Sequence, residues 1–335
     1  MNILITSVGR RSYIVSYFKN ALNGIGHVHA SNSENTYALN IADKSVITPL
    51  IYNGEYIDFL ITYCKENNIT AILSLFDIDL PILAKNKYKF EEIGVKVIVP
   101  DYETTQICND KWKTYHFLIE NGFKTTKCFI HLDECKEEYK NNNISFPLLV
   151  KPRWGMGSNG IHTAYSIEEL EVLYNKTKQY ILNSYLKYEA EPVKEECVLI
   201  QQNYGGQEYG IDVFNGLDAN FLTCIGKRKL AMRAGETDIA EIIDDEKLYE
   251  LGKSLSTKLK HIANLDVDCF KIGDEYYIVD MNCRFGGQYP FCHLAGANFP
   301  EAIVNMLQSK PVEKELLCAE VGVIGIKDIN PVRFG

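Results

Sequence analysis

Residues 264–288 read NLDVDCFKIGDEYYIVDMNCRFGGQ. Two alternating runs, LDVDCFKI and YYIVDMN, flank Gly273, Asp274 and Glu275, which predicts an antiparallel hairpin. With those three residues as the loop, Ile272 pairs with Tyr276, Phe270 with Ile278, Asp268 with Asp280 and Asp266 with Asn282. Cross-strand partners share a face and side chains alternate with period two, so three carboxylates and an amide gather at one end of one face. The other face, Val267, Cys269, Tyr277, Val279 and Met281, reads as core. Directly opposed carboxylates repel unless a cation offsets them. Oxygen-only donors suit Mg²⁺, with Mn²⁺ as its substitute, completed by water and substrate phosphates. The alternative is a solvated acidic strand end, because a register slip of one residue sends Asp268 to the other face. Arg284, two residues past Asn282, is placed to neutralise a terminal phosphate or an acyl phosphate.

A second stretch, SFPLLVKPRWGMGSNGIHTAYS at 145–166, supplies a partner for that acidic strand end. Phosphate loops of the P-loop and dinucleotide types put their glycines between a strand and a helix. Here the residues after Gly160 suit a strand, and a helix begins only at Ile167. The natural assignment is a β-hairpin whose tip, with Gly155, Gly157, Ser158 and Gly160, folds over phosphates through backbone N–H groups. Lys151, at the end of the incoming strand, brings an ammonium to the same place. A mobile turn needs similar glycines, so this tip gains meaning only beside the carboxylates.

The chain has 335 residues and a net charge of −9, which argues against nucleic acid as a partner. Its ten cysteines are scattered with no zinc-type spacing, and a reducing cytoplasm is the expected compartment. No apolar run approaches the ~20 residues that span a bilayer, and MNILITSVGRRS lacks the features of a secretory signal. A homodimer is the default expectation for its assembly.

Residues 2–100 alternate strand-like runs (NILITS, HVHAS, AILSLF, VKVIVP) with helical stretches near 11–23 and 56–67, which predicts a parallel sheet with crossover helices. Sites in such sheets lie at the carboxyl ends of strands, so Ser7, Gly9 and Arg10, and then Asp77 and Asp79, are pocket candidates. Two short helices ending at Gly122 follow, then the glycine hairpin, a long helix from Ile167 to Tyr185, and a strand-rich remainder with helices near 245–262 and 299–308. Cys292 and His293 are explained by packing as well as by a pocket.

These pieces carry a family resemblance. NDKWKTYHFLIENGF, PLLVKPRWGMGSNGI, VLIQQNYGGQEYGIDVF, GKRKLAMRAGETD and VDMNCRFGG occur in the order found in ATP-grasp proteins, and most resemble one ATP-grasp unit of the carbamoyl phosphate synthase large chain. The resemblance implies an α/β then α+β chain. An N-terminal parallel-sheet, Rossmann-like pre-ATP-grasp lobe (1–100) would precede a two-lobed ATP-grasp fold, with a small lobe at 101–195 and a large lobe at 196–335. It further implies that Lys111 and Lys151 contact the phosphates of ATP under the loop from Gly155 to Gly160. Gln201, Gln202, Asn203 and Tyr204 would line the adenine hinge, and Glu208 would hold the ribose. Asp268, Asp280 and Asn282 would bind Mg²⁺, Arg284 would face the transferred phosphate, and Arg228 and Arg233 would lie near the phosphoryl acceptor. Asp280 and Cys283 stand where the family usually carries Glu and Pro, and the aspartate is one methylene shorter.

The activity implied is ATP-dependent joining of a small-molecule carboxylate to an amine or ammonia through an acyl phosphate. The alternatives are phosphorylation of bicarbonate, carbamate or another small acid without an amine step, and a non-catalytic ATP-binding regulator.

Overall fold

The computed structural model describes residues 1–333. The first lobe comprises β1 (Asn2–Thr6), α1 (Ser12–Leu22), β2 (His27–Asn32), α2 (Tyr37–Ile41), β3 (Lys44–Ile47), α3 (Tyr56–Glu66), β4 (Ile69–Ser74), α4 (Asp79–Lys85), α5 (Lys87–Glu91) and β5 (Lys96–Val97). Its five strands form a parallel sheet in the order β3-β2-β1-β4-β5. Buried runs such as Ile3, Leu4 and Ile5 suit a sheet covered on both faces. The short α2, β3, α4 and α5 went unforeseen, since four to seven residues are too few to display a period.

The middle lobe follows as α6 (Tyr102–Asn109), α7 (Lys111–Glu120), β6 (Cys128–Phe129), α8 (Leu132–Lys140), β7 (Leu148–Pro152), β8 (His162–Ala164), α9 (Ile167–Leu182), α10 (Lys187–Ala190) and β9 (Val198–Gln202). The sheet is antiparallel in the order β6-β9-β7-β8. Polar caps set the helix starts: Asp110 accepts from the Trp112 and Lys113 amides, and Ser166 from Glu169. β9 lies past the expected boundary at 195/196 yet pairs with β6 and β7, because an apolar strand does not name its neighbours.

The third lobe holds β10 (Gln207–Asn215), β11 (Phe221–Arg233), β12 (Glu236–Ile243), α11 (Glu246–Leu259), β13 (Ala263–Ile272), β14 (Glu275–Asn282), α12 (Tyr289–Leu294), α13 (Phe299–Leu307) and β15 (Ile324–Ile326). Its antiparallel sheet runs β14-β13-β10-β11-β12-β15. One continuous core ties this lobe to the first, with Phe18 of α1 edge-on to Phe285 at 5.9 Å, and within the third lobe Phe214 stacks on Phe299 at 4.2 Å. Burying Phe18 and Phe285 contributes about 1.5–3 kcal/mol each, which holds the two lobes in a fixed relation.

The β13–β14 hairpin departs from expectation in two ways that cancel. Ile272 pairs with Glu275 rather than Tyr276, so the turn is only Gly273 and Asp274, and a bulge at Val279 restores the count. Asp268 therefore meets Asp280 and Asp266 meets Asn282, as the spacing predicts. Between turn and bulge, β14 is inverted. Tyr276 and Ile278 join Val267, Cys269 and Met281 in the core, while Val279 faces the cleft and Tyr277 is only half-buried.

Candidate functional site

The three lobes enclose a cleft of about 320 Å³. Its walls come from the glycine hairpin, β9, β10, the end of β11, the β13–β14 ribbon and the first lobe's β1–α1 turn.

Lys111 and Lys151 arrive side by side for a structural reason. Arg153, just past β7, grips the capping Asp110 of α7 through two hydrogen bonds of 2.7 and 2.8 Å, and its carbonyl accepts from the Lys111 amide at 3.1 Å. This planar pair locks the start of α7 to the end of β7. Lys151 is buried and donates to Gln201 Oε1 at 2.6 Å. Burial holds its ammonium below the usual lysine range, nearby Asp280 opposes that fall, and Lys111 adds to it. Lys111 donates to Gly155 O at 2.7 Å, with Asp280 at 3.9 Å.

Gly155, Gly157 and Ser158 of the loop line the cleft, whereas Gly160 does not and packs close to Tyr180 and Pro152. The tip reaches the β11–β12 turn, where Ser158 Oγ donates to Gly235 O at 3.4 Å. Gly235 has φ +78°, and a Cβ there would stand 2.3 Å from that of Ser158, so only glycine lets the tip sit down. At the hinge, Gln201, Gln202, Asn203 and Tyr204 all face the cleft. The Asn203 amide donates to Pro147 O, while Gln202 Oε1 is buried with no partner among the described residues.

At the carboxylate end, Lys229 donates to Asp268 at 2.7 Å and lies 3.7 Å from Glu208. Burial raises the Glu208 carboxyl above its ordinary range despite that lysine. Asp266 is pushed up to about 6 by burial and by Asp268, with Arg284 pulling the other way. Arg284 spans two lobes, meeting Asp77 of the first lobe at 2.9 Å and Asp266 at 3.2 Å. Gly286 is obligatory because a Cβ would fall 2.0 Å from the Asp266 carboxylate. Asp268, Asp280 and Asn282 offer oxygen donors only, and the two opposed acids are each approached by a lysine. Among the described residues no three acidic, histidine or cysteine side chains form a ready cage. Two carboxylates and an amide that rely on outside ligands fit a hard divalent ion better than zinc.

Arg228 and Arg233 do not line the cleft. Arg228 pairs with Glu241 on the outer face of β11, and Arg233 with Asp238 at 2.7 Å. Strand alternation explains Arg228, whose neighbour Lys229 takes the inward side, whereas register shifts between Lys229 and Met232 turn Arg233 outward although it shares the parity of Lys229. The same off-by-one holds in the first lobe, where Arg11 rather than Arg10, Ser7 or Gly9 lines the cleft. Asp77 reaches the site's edge through Arg284. Asp79 turns into the first lobe, where its carboxylate collects the hydroxyls of Thr6, Ser7, Ser74 and Tyr56. Cys292 is buried against Lys227 and Asp212, and His293 stacks on Tyr17 at 3.6 Å. Lys229, Gln288 and Arg11 were missed from sequence. For Lys229 the alternation of GKRKL was the available signal.

Nine of the ten cysteines are buried and all are free thiols. Among the described residues no helix is long and apolar enough to cross a membrane.

Comparison with known proteins gives two family matches. Residues 3–98 match the PylC-like N-terminal domain, and residues 194–328 match the family described as ATP-grasp in the biosynthetic pathway with Ter operon. The carbamoyl phosphate synthase large chain of Clostridium acetobutylicum is 22% identical over 288 residues, which is 81% of this chain and 25% of that one. The chain thus spans about a quarter of the length of that relative. Among solved structures, the L-amino acid ligase from Bacillus licheniformis superposes with a TM-score of 0.75 at 19% identity, covering 99% of this chain and 81% of the ligase. The biotin carboxylase domain dimer of Hydrogenobacter thermophilus 2-oxoglutarate carboxylase, in complex with MgADP and bicarbonate, superposes at 0.72 with 15% identity, covering 96% of this chain and 73% of that one.

Proposed function

We propose that this chain is an ATP-grasp ligase, which joins a small carboxylic acid to an amine or ammonia with MgATP through an acyl phosphate. The observation that carries the reading is the meeting, in one cleft, of Lys111, Lys151 and the glycine loop with the opposed Asp268 and Asp280.

In this reading Lys111 and Lys151 hold the phosphates under Gly155, Gly157 and Ser158. Gln201, Gln202, Asn203 and Tyr204 take the base, with the Gln202 oxygen free to accept from an exocyclic amine, and Glu208 takes the ribose. Asp268, Asp280 and Asn282 would hold Mg²⁺, which when bound offsets phosphate charge. An oxygen of the substrate carboxylate attacks the γ-phosphorus and the bond to ADP breaks. The amine nitrogen then attacks the acyl carbon, phosphate departs, and the nitrogen loses a proton. Arg284, its guanidinium fixed by Asp77 and Asp266, would face the charge that builds on the transferred group. The closed loop excludes water, which would otherwise hydrolyse the acyl phosphate. The reading also carries a cytoplasmic location and a homodimer, the latter tested by light scattering.

The decisive test is phosphate release with MgATP and a panel of small acids, with and without amines. Amine-dependent release supports the ligase, and acid-dependent release without amine means simple phosphorylation. Thermal stabilisation by MgATP with no release on any panel means a binder only. Lys151→Met should weaken MgATP about 10–150-fold, equivalent to the ~1.5–3 kcal/mol of a charged hydrogen bond.

A further inference from the structure

Arg11 is a charged cleft residue that the roles above leave unused. It lies at the start of α1 and lines the same cleft as Arg284 and Glu236, near enough to both for their charges to be felt. Its guanidinium donates to the carbonyl of Leu75 and touches the sulfur of Met156 at 3.9 Å, neither of them charged. Arg284, by contrast, is held by two carboxylates. Burial, and then the positive charge of Arg284, pull the Arg11 guanidinium below its ordinary range, with Tyr13, Asp77 and Asp266 opposing the fall. Tyr13 also hydrogen-bonds it, but among the described residues no carboxylate forms an ion pair with it, and such a cation is stabilised by an incoming anion.

We propose that Arg11 anchors the carboxylate of the acid substrate, which makes it a specificity-determining residue of the acceptor subsite. The proposal rests on the ligase reading, and two features favour a substrate carboxylate over a nucleotide phosphate. Lys111, Lys151 and the acid pair lie on the middle and third lobes, whereas Arg11 stands on the first-lobe wall. An attacking acid must approach the γ-phosphorus opposite ADP, away from the groups that hold the nucleotide. The planar guanidinium fork would then take that carboxylate in two hydrogen bonds. The contact with Met156 also puts Arg11 under the glycine loop, so anchoring the acid and closing the loop meet at one residue.

The test titrates malonate, a carboxylate without an amine, into protein saturated with MgADP, following the melting temperature of wild type, Arg11→Lys and Arg11→Gln. Wild type is expected to show a saturable rise, with apparent affinity at least tenfold weaker in Arg11→Lys and no response in Arg11→Gln. The shift caused by MgADP alone should be equal in all three. An equal malonate response in wild type and Arg11→Gln, or none in wild type, overturns the assignment. Loss of the MgADP shift in both variants overturns it too, by making Arg11 a phosphate ligand. No MgADP shift in wild type overturns the nucleotide reading itself, and is seen before any malonate is added.

Discussion

Lys227 and Lys229 lie two residues apart on one face of β11 and each meets an aspartate, yet the two pairs do different work. Lys227 and Asp212 are both fully buried. The Asn264 amide donates to Asp212 at 2.7 Å, and Cys292 Sγ lies 3.2 Å from both charges. Neither side chain reaches solvent or the cleft, so the pair is a closed structural unit. Lys229, Lys111 and Lys151 instead border the cleft, and the acids they face, Asp268 and Asp280, are 30% and 24% exposed at the side chain. A closed pair serves the fold, while an open one leaves donors and acceptors for a ligand.

The largest effect should come from breaking the closed pair. Lys227→Met leaves the Asp212 carboxylate buried and uncompensated, which costs about 3–5 kcal/mol of stability in urea unfolding. Combining it with Asp212→Leu should recover most of that loss. A large activity loss in Lys227→Met with unchanged stability would erase the distinction between the two pairs.

Asp280→Ala addresses the open cluster. Turnover should fall about 10²–10³-fold and stabilisation by MgATP should vanish, while the ligand-free protein melts no lower, because an opposed like charge has been removed. A ligand-free protein that melts much lower would mean that Asp280 is structural.

The pH dependence of stability sharpens the comparison next. His261 is buried on the Val213 carbonyl and lowered to about 4 by burial. Its contribution is complete above about pH 6.5 and is lost as pH falls towards 4, by about 3 kcal/mol at most. Asp266, raised to about 6, has the opposite sign: its contribution is present below its unfolded pKa and is lost as pH rises through 6. The two slopes oppose each other between pH 4 and 6. Urea midpoints of His261→Gln should therefore fall as pH rises across that window, and those of Asp266→Asn should rise.

The smallest effect is expected at Gly235→Ala, where a methyl would meet Ser158 and lift the loop tip. A several-fold rise in KM for ATP with little change in kcat would mark the loop as a lid, and unchanged kinetics would mark it as a bystander.

The sequence by itself determined the local patterns: the parallel first lobe, the glycine tip between two strands, and the Asp268–Asp280 and Asp266–Asn282 pairings. Each follows from period-two alternation or from a turn residue within a few positions. Only the tertiary structure decided which member of a basic run turns inward, as with Arg11 over Arg10 and Lys229 over Arg228, and that Asp77 crosses between lobes to hold Arg284 while Asp79 sinks among hydroxyls. A bulge or a one-residue shift reverses the face of a side chain without altering the pattern of polar and apolar residues, and contacts 207 residues apart leave no periodic trace in the chain.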